Sequence, residues 1–215
     1  MSGRASALVL VAPSGTGKTT VAHALVRTDP HYVFSVSATT RAPRGQERDG
    51  VDYHFLEEET FRARISRGEL AEWAQVHGRL YGTPLENFAA ARREGRTLVL
   101  DIDVQGALQV QAKVLDAVCV FLLPPSGRVL LERLRGRGTE TEAETRARLR
   151  TALDELDQAS GFRHLLVNED VQDTVRVLRG WAESGPPSTA AAPELRDRVT
   201  EIAATLQGEL AREGG

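Results

Sequence analysis

Residues 8–20 constrain this chain more than any other stretch. Leu8-Val9-Leu10-Val11 is an apolar run, Ala12-Pro13-Ser14-Gly15-Thr16-Gly17 is a turn with two glycines, and Lys18-Thr19-Thr20 opens a helical pattern continued by Val21, Ala22, Leu25 and Val26. A buried strand, a tight loop and a helix N-terminus in that order make an anion cradle. Loop N–H groups converge there, and the positive end of the helix dipole faces the same point. In the phosphate-binding pattern Gly-x-x-x-x-Gly-Lys-[Ser/Thr], the lysine reaches the outer phosphates and the hydroxyl sits on Mg²⁺. Lys18 and Thr19 hold those two places, so Pro13, Ser14, Gly15, Thr16, Gly17, Lys18, Thr19 and Thr20 are the expected triphosphate contacts. The first position is Ala12 where glycine is usual; alanine is the next smallest residue. The competing reading is an ordinary Gly-rich turn with an exposed lysine.

Length and charge narrow the rest. A chain of 215 residues with 41% apolar content can bury one ordinary core, with room for an inserted subdomain. Its 27 basic against 30 acidic residues, a net charge of −3, argue against a nucleic-acid partner held by a bulk positive field. The single cysteine, Cys119, lies in an apolar run and can form no internal disulfide; it reads as a small buried hydrophobe. With no secretory or membrane-spanning pattern, the expected setting is the reducing cytoplasm, away from membranes. The five histidines are scattered without metal-ligand spacing.

Along the chain, strand and helix patterns alternate. Strands are expected at 32–37, 97–101, 117–123 and 165–168, and helices at 57–68, 85–93, 104–115, from Ser126 through Leu134, at 141–159 and at 171–181. This alternation predicts an α/β fold: a parallel central sheet with helices on both faces. Residues 37–88 break it, and 70–81 read as short antiparallel strands, so an inserted mixed α/β subdomain is expected over the carboxyl ends of the strands, where ligands bind in open α/β folds. The expected division is a core at 1–36 and 89–183, with a short arginine-bearing lid near 136–150, and the subdomain at 37–88. A Pro/Ser/Ala linker at 184–193 and an amphipathic helix at 194–212 complete it. Leu195, Val199, Ile202, Leu206 and Leu210 share one face of that helix, which suits either self-association into a homo-oligomer or docking on the core.

Three residue sets complement the cradle. Arg41 and Arg44, with Tyr53 and Tyr81, suit a doubly charged phosphate, although two arginines three apart also describe a solvated loop. Arg133, Arg137 and Arg148 flank a Gly-hinged segment and could neutralise a transferring phosphoryl group; a solvated helix face is the alternative. Ser37, Glu72, Thr83 and Asp103 form the third set, with no meaning in isolation.

Their joint occurrence carries a likeness. Phe34-Ser35-Val36-Ser37-Ala38-Thr39-Thr40-Arg41-Ala42-Pro43-Arg44, Gly50-Val51-Asp52-Tyr53-His54-Phe55, Glu72-Trp73-Ala74-Gln75, Tyr81-Gly82-Thr83 and Leu100-Asp101-Ile102-Asp103-Val104-Gln105-Gly106 resemble guanylate kinase. So do Pro124-Pro125-Ser126, Gly136-Arg137-Gly138-Thr139-Glu140-Thr141 and Val167-Asn168; the likeness covers about residues 7–181, in order. It implies a P-loop kinase fold and transfer of a phosphoryl group from ATP to GMP or dGMP, with Mg²⁺. By the same likeness Arg41, Arg44, Tyr53 and Tyr81 hold the GMP phosphate, and Ser37, Glu72, Thr83 and Asp103 read guanine. Lys18 with Arg41, Arg133, Arg137 and Arg148 does the catalytic neutralisation, Arg137 also touching ATP. Asn168 lies by adenine, and Thr19 and Asp101 order Mg²⁺.

The residue types fit on their own chemistry. Guanine presents a ring N–H and an exocyclic amine side by side, both donors, and an ionised Glu72 can accept from both; adenine turns a lone pair toward it. Hydroxyls at Ser37 and Thr83 can donate to the guanine carbonyl. Two departures from the family pattern stand out: Ala12, and Gln46 in Pro43-Arg44-Gly45-Gln46-Glu47 where glycine is expected, a place where a left-handed backbone would strain any other residue. The rival function is a non-catalytic guanylate-kinase-like binding module. Such modules have degraded P-loops, whereas Gly17, Lys18, Thr19 and Asp101 are intact here. A kinase for a phosphorylated sugar would not need Glu72, Thr83 and Asp103 together.

Overall fold

The structure, a computed structural model, describes residues 4–136, 142–187 and 193–212. In chain order the elements are β1 (Ala7–Val11), α1 (Lys18–Thr28), β2 (Tyr32–Phe34), β3 (Ala38–Thr39), β4 (His54–Phe55), α2 (Glu58–Ser66), β5 (Leu70–Val76), β6 (Arg79–Pro84) and α3 (Leu85–Arg93). Then come β7 (Thr97–Asp101), α4 (Val104–Lys113), β8 (Ala117–Leu123), α5 (Gly127–Leu134), α6 (Glu142–Asp157), β9 (His164–Val167), α7 (Val171–Ser184) and α8 (Pro193–Arg212). Local chemistry sets several boundaries. Ser126 caps α5 by accepting the Val129 N–H, and Asp170 caps α7 through Gln172 and Asp173. His77 and Gly78 both take positive φ in the two-residue turn between β5 and β6, as a tight hairpin requires.

The main sheet runs β2-β7-β1-β8-β9, and every neighbouring pair in it is parallel. β1 is its central strand and is wholly buried. The alternation of side chains along the strand splits the interior into two layers. Ala7, Val9 and Val11, with Leu100, Phe121 and Leu123, meet α3, α4, α5 and α6; Leu8 and Leu10, with Val99, Val120 and Leu122, meet α1 and α7. Strands buried on both faces need a continuous apolar run, and that is why β1, β7 and β8 were the easiest elements to read from sequence.

A second sheet, ordered β4-β3-β6-β5, stands over the carboxyl ends of the main strands with a small core of Ala38, Phe61, Leu70 and Leu80. Side chains of α4 tie it down: Gln109 exchanges two hydrogen bonds with the Trp73 backbone, and Lys113 donates to the Leu70 carbonyl. Asn87, on α3, donates to Ser35 Oγ and the Val36 carbonyl where the chain crosses from one sheet to the other.

The tail helix α8 lies back on α5 and α6. Ile202 and Leu206 are fully buried in the main core, and Leu195, Val199 and Leu210 pack against it. Burying two such side chains contributes roughly 1.5–3 kcal/mol each. The contact is close: a Cβ on Gly127 would fall 2.5 Å from Thr205 Cβ, so the first residue of α5 has to be glycine. Arg196 donates to the Ala159 and Phe162 carbonyls, and Arg135 pairs with Glu209. Of the two roles expected of this helix, docking on the core is the one its buried face takes here, against α5 and α6.

Candidate active site

The P-loop joins β1 to α1. Gly15 (φ 85°) and Gly17 (φ 94°) carry the left-handed backbone, and no side chain caps α1, so its first N–H groups remain available to an anion. Ala12 has no positive φ; its methyl group is buried with Leu10 and Val21. The departure from glycine at position 12 is therefore unstrained. Lys18 Nζ donates to the Ile102 carbonyl and pairs with Asp101 Oδ1, both at 2.8 Å, and Thr19 Oγ1 donates to Asp101 Oδ2 at 2.7 Å. Pro13, Ser14, Gly15, Gly17, Lys18, Thr19 and Thr20 border one cavity of about 530 Å³, with Asp101, Arg133 and Glu155. Thr16 faces inward, fully buried, and its hydroxyl has no partner.

Asn168 acts as a strut beneath this loop. It is buried, its Nδ2 donates to the Thr16 carbonyl at 2.8 Å, and its Oδ1 accepts from Thr174. A side chain on Gly17 would approach that amide to 3.0 Å. The same residue borders a hollow of about 260 Å³ with Gly15, Gly17, Thr20, Arg133, Glu169 and Val171.

The second half of the site lies between the two sheets. Ser37, Tyr53, Glu72, Tyr81, Asp101 and Asp103 border a hollow of about 180 Å³. Ser37, Tyr53, Thr83 and Asp101 also border an adjoining one of about 150 Å³. The β5–β6 register pairs Glu72 with Thr83, and Thr83 Oγ1 donates to Glu72 Oε1 at 2.6 Å with both residues buried. Burial pushes the Glu72 carboxyl above its ordinary range and Asp103 adds to this, while the Thr83 hydroxyl and Lys113 pull it back. A hydroxyl has one hydrogen to give, and here Thr83 gives it to Glu72, which orients the carboxylate. Asp103 borders the same hollow, and its Oδ1 accepts the Gly106 N–H and caps α4.

Arg41 stacks over Tyr53 (5.1 Å) and Phe55 (5.8 Å), beside the Tyr53–Tyr81 pair. Its two terminal nitrogens hold Glu47 at 2.7 and 2.9 Å, and this bidentate bond pulls the Glu47 carboxyl down to about 2. Glu47 also accepts the Arg44 N–H at 2.7 Å. The concern over Gln46 dissolves, since the left-handed residue of this turn is Gly45 (φ 54°) and Gln46 has no positive φ.

Not every expected residue meets the others. Arg44 is exposed and borders none of these cavities, and neither does Arg148, half-buried on α6. Arg133 borders the P-loop cavity, but its Nη1 is engaged by the Gly15 and Thr16 carbonyls at 3.2 Å. Arg137 lies outside the described residues. Conversely, Glu155 borders the P-loop cavity, Glu47 holds Arg41 and Asn87 fixes Ser35, and none of the three is among the expected site residues. Their partners are brought to them by folding or by a turn, and none stands in a spacing that marks it. Among the described residues no cluster of three or more His, Cys, Asp or Glu side chains forms a metal site, and no helix is long and apolar enough to cross a membrane. The Cys119 thiol is pushed by burial up to about 12, so it is inert.

The comparison with known proteins agrees with this geometry. A family model described as guanylate kinase matches residues 4–184. The guanylate kinase of Oleidesulfovibrio alaskensis is 45% identical over 194 residues, covering 90% of this chain and 94% of that protein. That of Corynebacterium diphtheriae is 48% identical over 174 residues, covering 80% and 91%. The crystal structure of guanylate kinase from Anaplasma phagocytophilum superimposes with a TM-score of 0.60 at 33% identity, covering 85% of this chain and 87% of that one. With its P-loop, its buried carboxylate hollow and these relatives, the chain belongs to the guanylate kinase family.

Proposed function

We propose that this chain transfers the γ-phosphoryl group of ATP to GMP, giving ADP and GDP. The observation that carries the reading is the position of Asp101. At the carboxyl end of β7 it borders the P-loop cavity and both hollows between the sheets, so donor and acceptor sites meet at one carboxylate. The P-loop N–H groups and Lys18 take the donor phosphates, with Asn168 steadying the loop beside the base. Segment 37–88 is the acceptor subdomain, in which Arg41, Arg44, Tyr53 and Tyr81 take the GMP phosphate while Glu72, Ser37 and Asp103 read guanine. The residues assigned here take phosphate and base, and dGMP, which shares both, is the second acceptor of this reading.

Mg²⁺ fits the residues present. Thr19 and Asp101 offer a hydroxyl and a carboxylate already hydrogen-bonded to each other, and this ion commonly takes one or two carboxylates plus substrate phosphates. Bound there, it supplies charge neutralisation to the phosphates. The chain's own residues do the rest. The second pKa of the acceptor phosphate is about 6, so the attacking oxygen is anionic at neutral pH and no general base is required. Rate then comes from alignment and from charge supplied by Lys18, Arg41, Arg133, Arg137 and Arg148. The supply of both nucleotides makes the cytoplasm its setting.

The test is ADP formation in a coupled assay with GMP, dGMP, AMP, CMP and UMP. Turnover with GMP and dGMP alone is expected. Turnover with AMP at a comparable rate, or binding of GMP with no turnover, would refute the reading, and the second result would favour a binding module.

A further inference from the structure

One ionisable group in the P-loop cavity has no part in the reaction as described. Glu155 lies on α6, half-buried, and its Oε2 accepts the Ser14 N–H at 3.2 Å. It borders the cavity beside Lys18 and Arg133. Burial pushes its carboxyl up, while the Ser14 N–H and Lys18 hold it down and Asp103 and Asp154 push it further up. A carboxylate on a P-loop N–H is an anion in a cradle shaped for anions.

The helix before it grips the same loop with the opposite charge. Arg133, in the last turn of α5, donates to the Gly15 and Thr16 carbonyls. The two helices that flank residues 135–141 in sequence are thus both fastened to the loop, one by a cation and one by an anion. A polyphosphate entering the cavity attracts Arg133 and repels Glu155, and because Glu155 is half-buried its repulsion is less screened than that of a surface charge.

We propose that Glu155 is an internal competitor of the donor's phosphates: it holds α6 on the P-loop until the triphosphate displaces it, passing occupancy of the donor site to the helix that carries Arg148. The proposal rests on the donor-site reading above. It makes Glu155 a positioning residue whose charge weakens donor binding in exchange for coupling α6 to it. A plain brace, whose contact with Ser14 persisted beside bound nucleotide, would strengthen donor binding instead.

The two differ in sign. Calorimetric titration of the full chain with Mg·ATP, with GMP as a control titrant, separates them in three variants. Glu155→Gln keeps the size and an acceptor for Ser14 but removes the charge; its Kd for ATP is expected to fall about three- to tenfold, with the gain shrinking as salt is raised. Glu155→Ala is expected to move the same way. Glu155→Asp keeps the charge and is expected to stay within about twofold of the parent. GMP binding, unchanged in each, reports that the variant is folded. Unchanged or weaker ATP binding in Glu155→Gln and Glu155→Ala overturns the proposal, as does an equal gain in Glu155→Asp. Absence of ATP binding by the parent chain would remove the donor-site reading itself, and the proposal with it.

Discussion

The donor and acceptor halves of this site hold their polar groups in different ways. On the donor side the backbone dominates: Gly15 and Gly17 shape the loop, and the N–H groups that face the cavity belong to it and to the first turn of α1. On the acceptor side the work falls to side chains held by other side chains, Glu72 with Thr83 across a hairpin and Arg41 with Glu47 across a turn. A backbone cradle depends on conformation, so a residue such as Ala12 is tolerated wherever its φ and packing allow. A side-chain site depends on identity, because a buried carboxylate without its intended donors is left uncompensated.

That contrast can be broken or sharpened by substitution. The largest effect is expected at Glu72→Gln, which should lower the preference for GMP over AMP by about a hundredfold, read as the ratio of kcat/KM values. Because burial raises the Glu72 carboxyl, its charged form is lost as pH falls through a value above the usual carboxylate range. The GMP preference of the parent should fall with it, and Glu72→Gln should show no such fall. The same raised value means that ionised Glu72 detracts from folding at neutral pH, so the variant should melt no lower than the parent. Next comes Glu47→Gln, expected to raise the KM for GMP about fivefold by releasing the Arg41 fork. The stabilisation from that pair is present above the ordinary carboxylate value of 4.5 and is lost as pH falls toward about 2, where the folded Glu47 titrates.

Removing residues 193–215 should lower Tm by at least about 6 °C, through loss of the Ile202 and Leu206 burial, while leaving the preference for GMP over AMP intact. The smallest effect is expected at Ala12→Gly. Turnover should stay within about twofold of the parent, since the loop already has the conformation it needs. A large gain in turnover would show that the methyl group distorts the cradle after all.

The same contrast explains what could be read from sequence. The P-loop and the doubly buried strands β1, β7 and β8 are local patterns, set by residue type at fixed spacing, and they were legible residue by residue. The acceptor residues were legible only as a set, through likeness to a family, because the register that brings Thr83 onto Glu72 is a property of the folded hairpin. Glu155 escaped notice since it is one acid in a helix rich in Glu and Arg, and only the packing of α6 against the loop distinguishes it. Asn168 was seen, but its anchoring of the Thr16 carbonyl could not be, as that contact spans the sheet. The tail helix was legible as amphipathic, and which surface covered it was decided by α5 and α6.

The central claim is that both halves work on one phosphoryl group at Asp101. Asp101→Asn keeps the size of the side chain while removing the charge shared by Lys18, Thr19 and the three cavities. Measured in the coupled assay with ATP and GMP, turnover is expected to fall about a thousandfold while the Kd for GMP stays within about threefold. Turnover within tenfold of the parent would contradict the account.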